Sequence, residues 1–278
     1  MTKVVITAAG KGVRLLPTTK SLPKEMLPIF AIRNKEKILV PLLQQIFEEL
    51  HSLKFRDFCL VVRREKQSIE EHFKPQRSFL KEIPKNYQIV LNNFYKKIEN
   101  SHLLWVNQNH PLGFGDAVRK TEKFVGEDDM ILHAGDVTIV GGKIHPVIRM
   151  MNTVKKNPDI SCLLLCKKVK DTKRYGVPKI RKNKNSFYEV EEVEEKPKKP
   201  KSNLAIMPLY YFKPSIFKHL KKIKKGKNNE YQLTDAIQKL IESGERVAAI
   251  TLLPEEEEID VGTPELYKKA LDFTYQYK

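Results

Sequence analysis

Ala8, Ala9, Gly10 and Gly12 come just after the apolar run Val4-Val5-Ile6, and two cations, Arg14 and Lys24, come soon after. Small residues let a ligand come close to the main chain and meet its N–H groups, and fixed cations beside them neutralise negative charge. That combination suits a polyphosphate. Pro17 and Pro23 fix φ and limit the freedom of the loop that carries the cations. Asp136 follows the apolar run Met130-Ile131-Leu132 through a small residue, the place where an open α/β sheet binds ligands, and is well set there to hold a metal. Gln108 ends another apolar run, and its amide carries both a donor and an acceptor, the equipment for pairing with the edge of a pyrimidine ring.

Two familiar phosphate motifs do not fit. A P-loop needs Ser or Thr directly after Gly-Lys, and Gly10-Lys11 is followed by Gly12 and Val13. A Rossmann fingerprint needs a third small residue where Leu15 stands. The whole stretch from Val4 to Pro28, and Pro23-Lys24-Glu25-Met26-Leu27-Pro28 in particular, resembles the sugar-phosphate nucleotidyltransferase family and most of all its UTP-glucose-1-phosphate uridylyltransferase branch. The likeness runs from Val4 to about Ala270 and is weakest at 74–97.

The resemblance implies transfer of a nucleotidyl group from UTP to glucose 1-phosphate, giving UDP-glucose and pyrophosphate, with Mg²⁺ as cofactor. It implies Arg14 and Lys24 as catalytic cations and Ala9, Gly10, Gly12, Gln108 and Gly113 as the nucleotide-binding set. Gly176 of Tyr175-Gly176-Val177, with Glu195 and Lys196 of Glu195-Lys196-Pro197, is implied to hold the sugar and its phosphate. Asp136 and Asp260 are implied as the metal ligands, Asp260 lying in Ile259-Asp260-Val261-Gly262-Thr263-Pro264. The family usually has threonine where Val13 stands, so an isosteric side chain here keeps packing and loses a hydroxyl. Two alternatives stay open: the same chemistry with dTTP or another sugar 1-phosphate, and a non-catalytic regulatory or nucleic-acid-binding homologue.

The elements that must position these residues are those of an α/β chain. The apolar β-branched run at 4–6 and apolar runs at 58–62, 103–106, 130–132 and 160–166 read as strands, with further strands expected at 88–91, 177–180, 187–193, 202–212 and 247–252. Apolar residues at helical spacing over 38–53 predict a helix, and others are expected at 67–73, 146–156, from Pro214, after Glu230 and after Thr263. Strand, helix, strand is the unit of a doubly wound, mostly parallel Rossmann-like sheet with helices on both faces, here with a small sugar-binding β subregion. The organisation expected is one catalytic domain over 1–278. It has a nucleotide-binding core at about 1–167, a sugar-binding part at about 168–262, a C-terminal helix at about 263–278 and no C-terminal β-helix. Residues 74–86 read as a surface insertion.

With 278 residues and 41% hydrophobic content the chain can bury a sizeable core. Lys plus Arg outnumber Asp plus Glu by 51 to 34, a formal net charge of +17. The lysines lack the interleaved aromatics that stack on bases, so a solvated basic surface is expected rather than a specific nucleic-acid site. Cys59, Cys162 and Cys166 lie in apolar segments without a close pair, as core thiols of a cytoplasmic protein do. No apolar run reaches the ~20 residues needed to span a bilayer, and no membrane partner is expected. The family commonly forms dimers or tetramers, so a homo-oligomer is expected.

Overall fold

The computed structural model describes residues 1–182 and 187–277; Lys278, the last residue of the expected C-terminal helix, lies outside them. In chain order the first half holds β1 (Thr2–Thr7), β2 (Pro28–Arg33), β3 (Glu36–Pro41), α1 (Leu42–Ser52), β4 (Asp57–Val62), α2 (Gln67–His72), α3 (Arg77–Leu80), α4 (Lys85–Glu99) and β5 (His102–Asn107). Then come α5 (Phe114–Arg119), α6 (Glu122–Val125), β6 (Asp129–Ala134), β7 (Val137–Gly141), α7 (Pro146–Lys156), β8 (Ile160–Lys168), β9 (Gly176–Lys182), β10 (Tyr188–Glu195) and β11 (Leu204–Phe212). The last elements are α8 (Ile216–Leu220), α9 (Leu233–Glu242), β12 (Arg246–Thr251), β13 (Glu256–Asp260) and α10 (Pro264–Gln276). They fall into two compact units, one of residues 1–7, 110–134 and 139–257, the other of 8–109, 135–138 and 258–278.

The first unit is built on seven strands hydrogen-bonded in the order β1-β6-β11-β8-β12-β10-β9. Val4, Val5 and Ile6 of β1 stand level with Ile131, Leu132 and His133 of β6 and are fully buried, as a strand covered on both sides must be. The α/β class is the one expected, but the sheet is mixed. β1/β6 and β8/β12 are parallel, whereas β6/β11, β11/β8, β12/β10 and β10/β9 are antiparallel. For β9/β10 the cause is local: five residues separate the two strands, whereas parallel neighbours need a crossover of about a dozen residues or more.

The second unit pairs β4 with β5 in parallel, Phe58 level with Leu103 and Val61 with Val106. Its core is aromatic. Phe47 of α1 lies 4.9 Å from Phe58, 5.3 Å from Phe73 and 6.1 Å from Phe94 between ring centroids, and Trp105 stands 5.9 Å from Phe73. The hairpin β2–β3 is held by α10, whose Tyr267 hydroxyl donates to the Pro28 carbonyl at 2.9 Å and whose Thr274 hydroxyl accepts from Phe30 N–H at 3.2 Å.

Two expected elements change type. Ile38 and Leu39 belong to β3 and not to a helix; Pro41 favours an extended residue before it and a helix start after it, so α1 opens at Leu42. The stretch 88–91 is helical, inside α4. Val90, Phe94 and Ile98 recur every fourth residue, and Phe94 and Ile98 are buried, so tertiary packing outweighs the strand preference of Ile89-Val90. The 74–86 segment is partly ordered as α3 and carries the buried Leu80.

Candidate active site

The cations and carboxylates expected to meet the triphosphate and the metal lie in the second unit, on the loop after β1, the segment 135–138 and the end of β13. Lys24 opens a single helical turn after Pro23, and its ammonium donates to Asp136 Oδ2. Burial works against that ammonium, yet Asp136 and Glu25 together hold it above its usual range. Burial also opposes the Asp136 carboxylate, and Lys24 more than offsets it, so this carboxyl sits below its ordinary range.

Asp260 behaves oppositely. Burial and the neighbouring charge of Asp136 push its carboxyl up to about 6, although Gly262 N–H donates to its Oδ1 at 2.6 Å. Val261 N–H donates to the Asp136 carbonyl at 3.2 Å, which fastens the two aspartate segments together. A Cβ added to Gly262 would stand 3.2 Å from Arg14 Nη2, so the guanidinium lies against the Asp260 turn. Arg14, Lys24, Asp136 and Asp260 thus share one region, and Lys24 neutralises the first carboxylate more than the second. Two carboxylates that resist sharing a site are hard oxygen donors fit for Mg²⁺, an ion that keeps water and phosphate oxygens as its other ligands. Among the described residues no group of three or more His, Cys, Asp and Glu side chains gathers as a metal cage.

The glycine loop lies beside these groups. Gly10 is exposed, and a Cβ there would come within 3.4 Å of Lys24 Nζ. Gly12 has φ +66°, the left-handed region, and its carbonyl accepts from the Thr19 hydroxyl at 2.7 Å. Ala9 is buried at the start of the loop. Val13 is 60% exposed, so the side chain standing where the family has threonine does not pack. Gln108 follows β5; it is 2% exposed, and its N–H donates to the Val62 carbonyl at 2.8 Å.

The residues expected to hold the sugar gather in the first unit. Gly176 on β9 stands level with Glu195 on β10, and a Cβ on Gly176 would be 3.3 Å from Glu195 Oε2. Lys196 takes φ +45°, donates its N–H to the Tyr175 carbonyl at 2.9 Å, and brings its Nζ 3.4 Å from Glu195 Oε1. Gly113 precedes α5 in the same unit, against the backbone of Tyr231.

Three side chains join these clusters that motif reasoning did not select. The Thr234 hydroxyl of α9 donates to Glu195 Oε2 at 2.8 Å. Lys66 donates to the Ala8 carbonyl and to Glu25 Oε2, both at 2.6 Å, and Glu25 is 1% exposed. Burial holds the Lys66 ammonium below its usual range against the pull of Glu25, and pushes the Glu25 carboxyl up against the pull of Lys66. Glu25 lies inside the Lys24 motif, but nothing local marks Lys66 within Arg63-Arg64-Glu65-Lys66.

A family model described as nucleotidyl transferase matches residues 3–276. The chain is 34% identical over 245 residues to a UTP–glucose-1-phosphate uridylyltransferase of Bacillus subtilis (strain 168), covering 86% of this chain and 80% of that one. It is 32% identical to the protein of the same description from Mycoplasma pneumoniae (strain ATCC 29342 / M129 / Subtype 1), over 87% and 82% of the two chains. A crystal structure of UDP-glucose pyrophosphorylase complexed with UDP-glucose superposes with a TM-score of 0.86 at 28% identity, covering all of both chains. With Arg14, Lys24 and both aspartates assembled and the match running almost end to end, the chain belongs to the nucleotidyl transferase family.

Proposed function

We propose that the protein joins UTP and glucose 1-phosphate, in the presence of Mg²⁺, to give UDP-glucose and pyrophosphate. The observation that carries this reading is the Lys24–Asp136 pair beside Asp260, Arg14 and the glycine loop. Uridylyltransferase relatives that match over most of the chain supply the choice of base and sugar.

In the reaction a phosphate oxygen of the sugar 1-phosphate forms a bond to the α-phosphorus of UTP, and the bond from that phosphorus to pyrophosphate breaks. No general base is needed, since the attacking phosphate is already ionised. The protein's task is to bring two mutually repelling anions into line and to offset their charge. The free N–H groups of the glycine loop and the Arg14 guanidinium bind the triphosphate, and Lys24 stabilises the charge that builds on it. Lys196 holds the sugar phosphate, and Glu195 accepts hydrogen bonds from sugar hydroxyls. Gln108 and Gly113 serve the uracil. Asp136 and Asp260 would hold Mg²⁺, which supplies a Lewis acid to phosphate oxygens. On this reading residues 1 to about 167 form the nucleotide-binding core of one catalytic domain, about 168–262 its sugar-binding part, and the C-terminal helix from about 263 completes it. Three unpaired thiols support a cytoplasmic setting, and no described helix is long and apolar enough to cross a membrane.

The test is pyrophosphate release with Mg²⁺, each of UTP, dTTP, ATP, CTP and GTP in turn, and a panel of sugar 1-phosphates. Release that needs UTP and glucose 1-phosphate together is expected and should stop on addition of EDTA. A different productive pair overturns the specificity. Silence across the panel overturns the activity.

A further inference from the structure

The glycine loop and the Lys24 turn are separated by a dozen residues, yet one buried side chain holds both. Lys66, just before α2, is 8% exposed. Its ammonium donates at 2.6 Å to the carbonyl of Ala8, where the loop begins, and at 2.6 Å to Glu25, whose neighbour Lys24 grips Asp136. On the other side of the residue, Ala8 N–H donates to the Val61 carbonyl at 2.7 Å. Both polar groups of the Ala8 main chain are therefore fixed.

The geometry of the peptide unit gives this arrangement its consequence. The Ala8 carbonyl and the Ala9 N–H lie on opposite edges of one planar trans group. Holding the carbonyl with Lys66 therefore aims the Ala9 N–H away from Lys66. Neither Ala9 N–H nor Gly10 N–H donates to any group among the described residues. Stability alone gives little reason for such a lysine, because two desolvated charges are often matched or bettered by apolar side chains of similar volume.

We infer that Lys66 is a positioning residue for nucleotide binding: its ammonium sets the orientation of the glycine-loop N–H groups and, through Glu25, the placement of Lys24. It touches no substrate. This inference rests on the uridylyltransferase reading for its assay but not for its physics, which needs only a triphosphate at the loop.

The experiment uses the wild type, Lys66→Met and the double variant Glu25→Gln/Lys66→Met, with three readouts: Tm, the rise in Tm on adding UTP, and kinetic constants for pyrophosphate release. Lys66→Met strands a buried carboxylate and is expected to lose Tm; the double variant removes both charges and should regain most of it. The Ala8 carbonyl is still released in the double variant. It should therefore keep a roughly ten- to hundredfold loss in kcat/KM for UTP, a smaller UTP-induced rise in Tm, and a KM for glucose 1-phosphate within about twofold of the wild type. A double variant with wild-type UTP kinetics and a wild-type UTP-induced shift overturns the positioning role. If the wild type itself releases no pyrophosphate, the uridylyltransferase reading falls, and the UTP-induced shift still decides about Lys66. Should Lys66→Met not fold, the double variant carries the test alone.

Discussion

Lys24 has two tasks in this structure, because it neutralises Asp136 and sits within reach of the glycine loop. Lys24→Ala therefore removes a preorganised cation and also leaves a partly buried carboxylate without its partner. Loss of one such electrostatic group costs about 3 to 4 kcal/mol of transition-state stabilisation, a drop of roughly 10²–10³ in kcat. Steady-state pyrophosphate release measures it, and near-normal turnover would take Lys24 out of the chemistry. His51 makes a different prediction. It lies in the last turn of α1 with a buried Nε2 that has no hydrogen-bond partner among the described residues. Burial, with the charges of Arg56 and Lys97, lowers its pKa from 6.5 to about 4. The unfolded chain therefore takes up the proton first as pH falls, so the stability contributed by neutral His51 is complete above pH 6.5 and is lost as pH drops toward 4. Across that window Tm should fall more steeply in the wild type than in His51→Leu; parallel curves would exclude the effect.

At the scale of elements, the ribbon of β7 and β13 contains a close backbone approach at a glycine. Gly141 has φ +89°, and a Cβ there would stand 2.1 Å from the Glu255 carbonyl oxygen. Gly141→Ala should destabilise by at least about 2 kcal/mol, since a left-handed alanine is strained even without the clash. Urea unfolding reads this, and an unchanged midpoint would show that the ribbon simply shifts. The same elements show what local sequence can and cannot carry. Strands at 4–6, 58–62 and 130–132 were legible because each is an uninterrupted apolar run buried on both sides, and 160–166 because Ser161 alone breaks its run. α4 was not, since Ile89-Val90 prefers a strand when considered alone and becomes helical only through Phe94 and Ile98 in the aromatic core. The β2–β3 hairpin hides because its two-residue turn is Asn34-Lys35, both at positive φ, without the glycine that usually announces it. In the site, Arg14, Lys24, Asp136 and Asp260 sit in recognisable motifs. Lys66 and Thr234 matter only through contacts 58, 41 and 39 residues away in sequence, and no local pattern records such contacts.

The whole molecule carries a net charge of +17, and on the proposed reading it must collect two anionic substrates from solution. A field of that sign speeds their arrival, and salt screens it beyond about 8 Å at physiological ionic strength. Raising NaCl should lower kcat/KM for the triphosphate while kcat changes little; a salt-independent kcat/KM would mean that only the local cations matter.

The cysteines divide unevenly between the units: Cys59 lies on β4 in one, Cys162 and Cys166 on β8 in the other, and all three are fully buried. Burial pushes the Cys59 thiol up to about 12 and raises the other two as well. Since the thiolate is the nucleophile, an alkylating reagent at neutral pH should find nothing to react with while the chain is folded. Each labelled cysteine then becomes a time stamp for the opening of its own unit. Under mild denaturant, mass spectrometry of the peptides would tell which unit opens first. Rapid labelling of the native protein would show instead that these strands breathe far more than their packing implies.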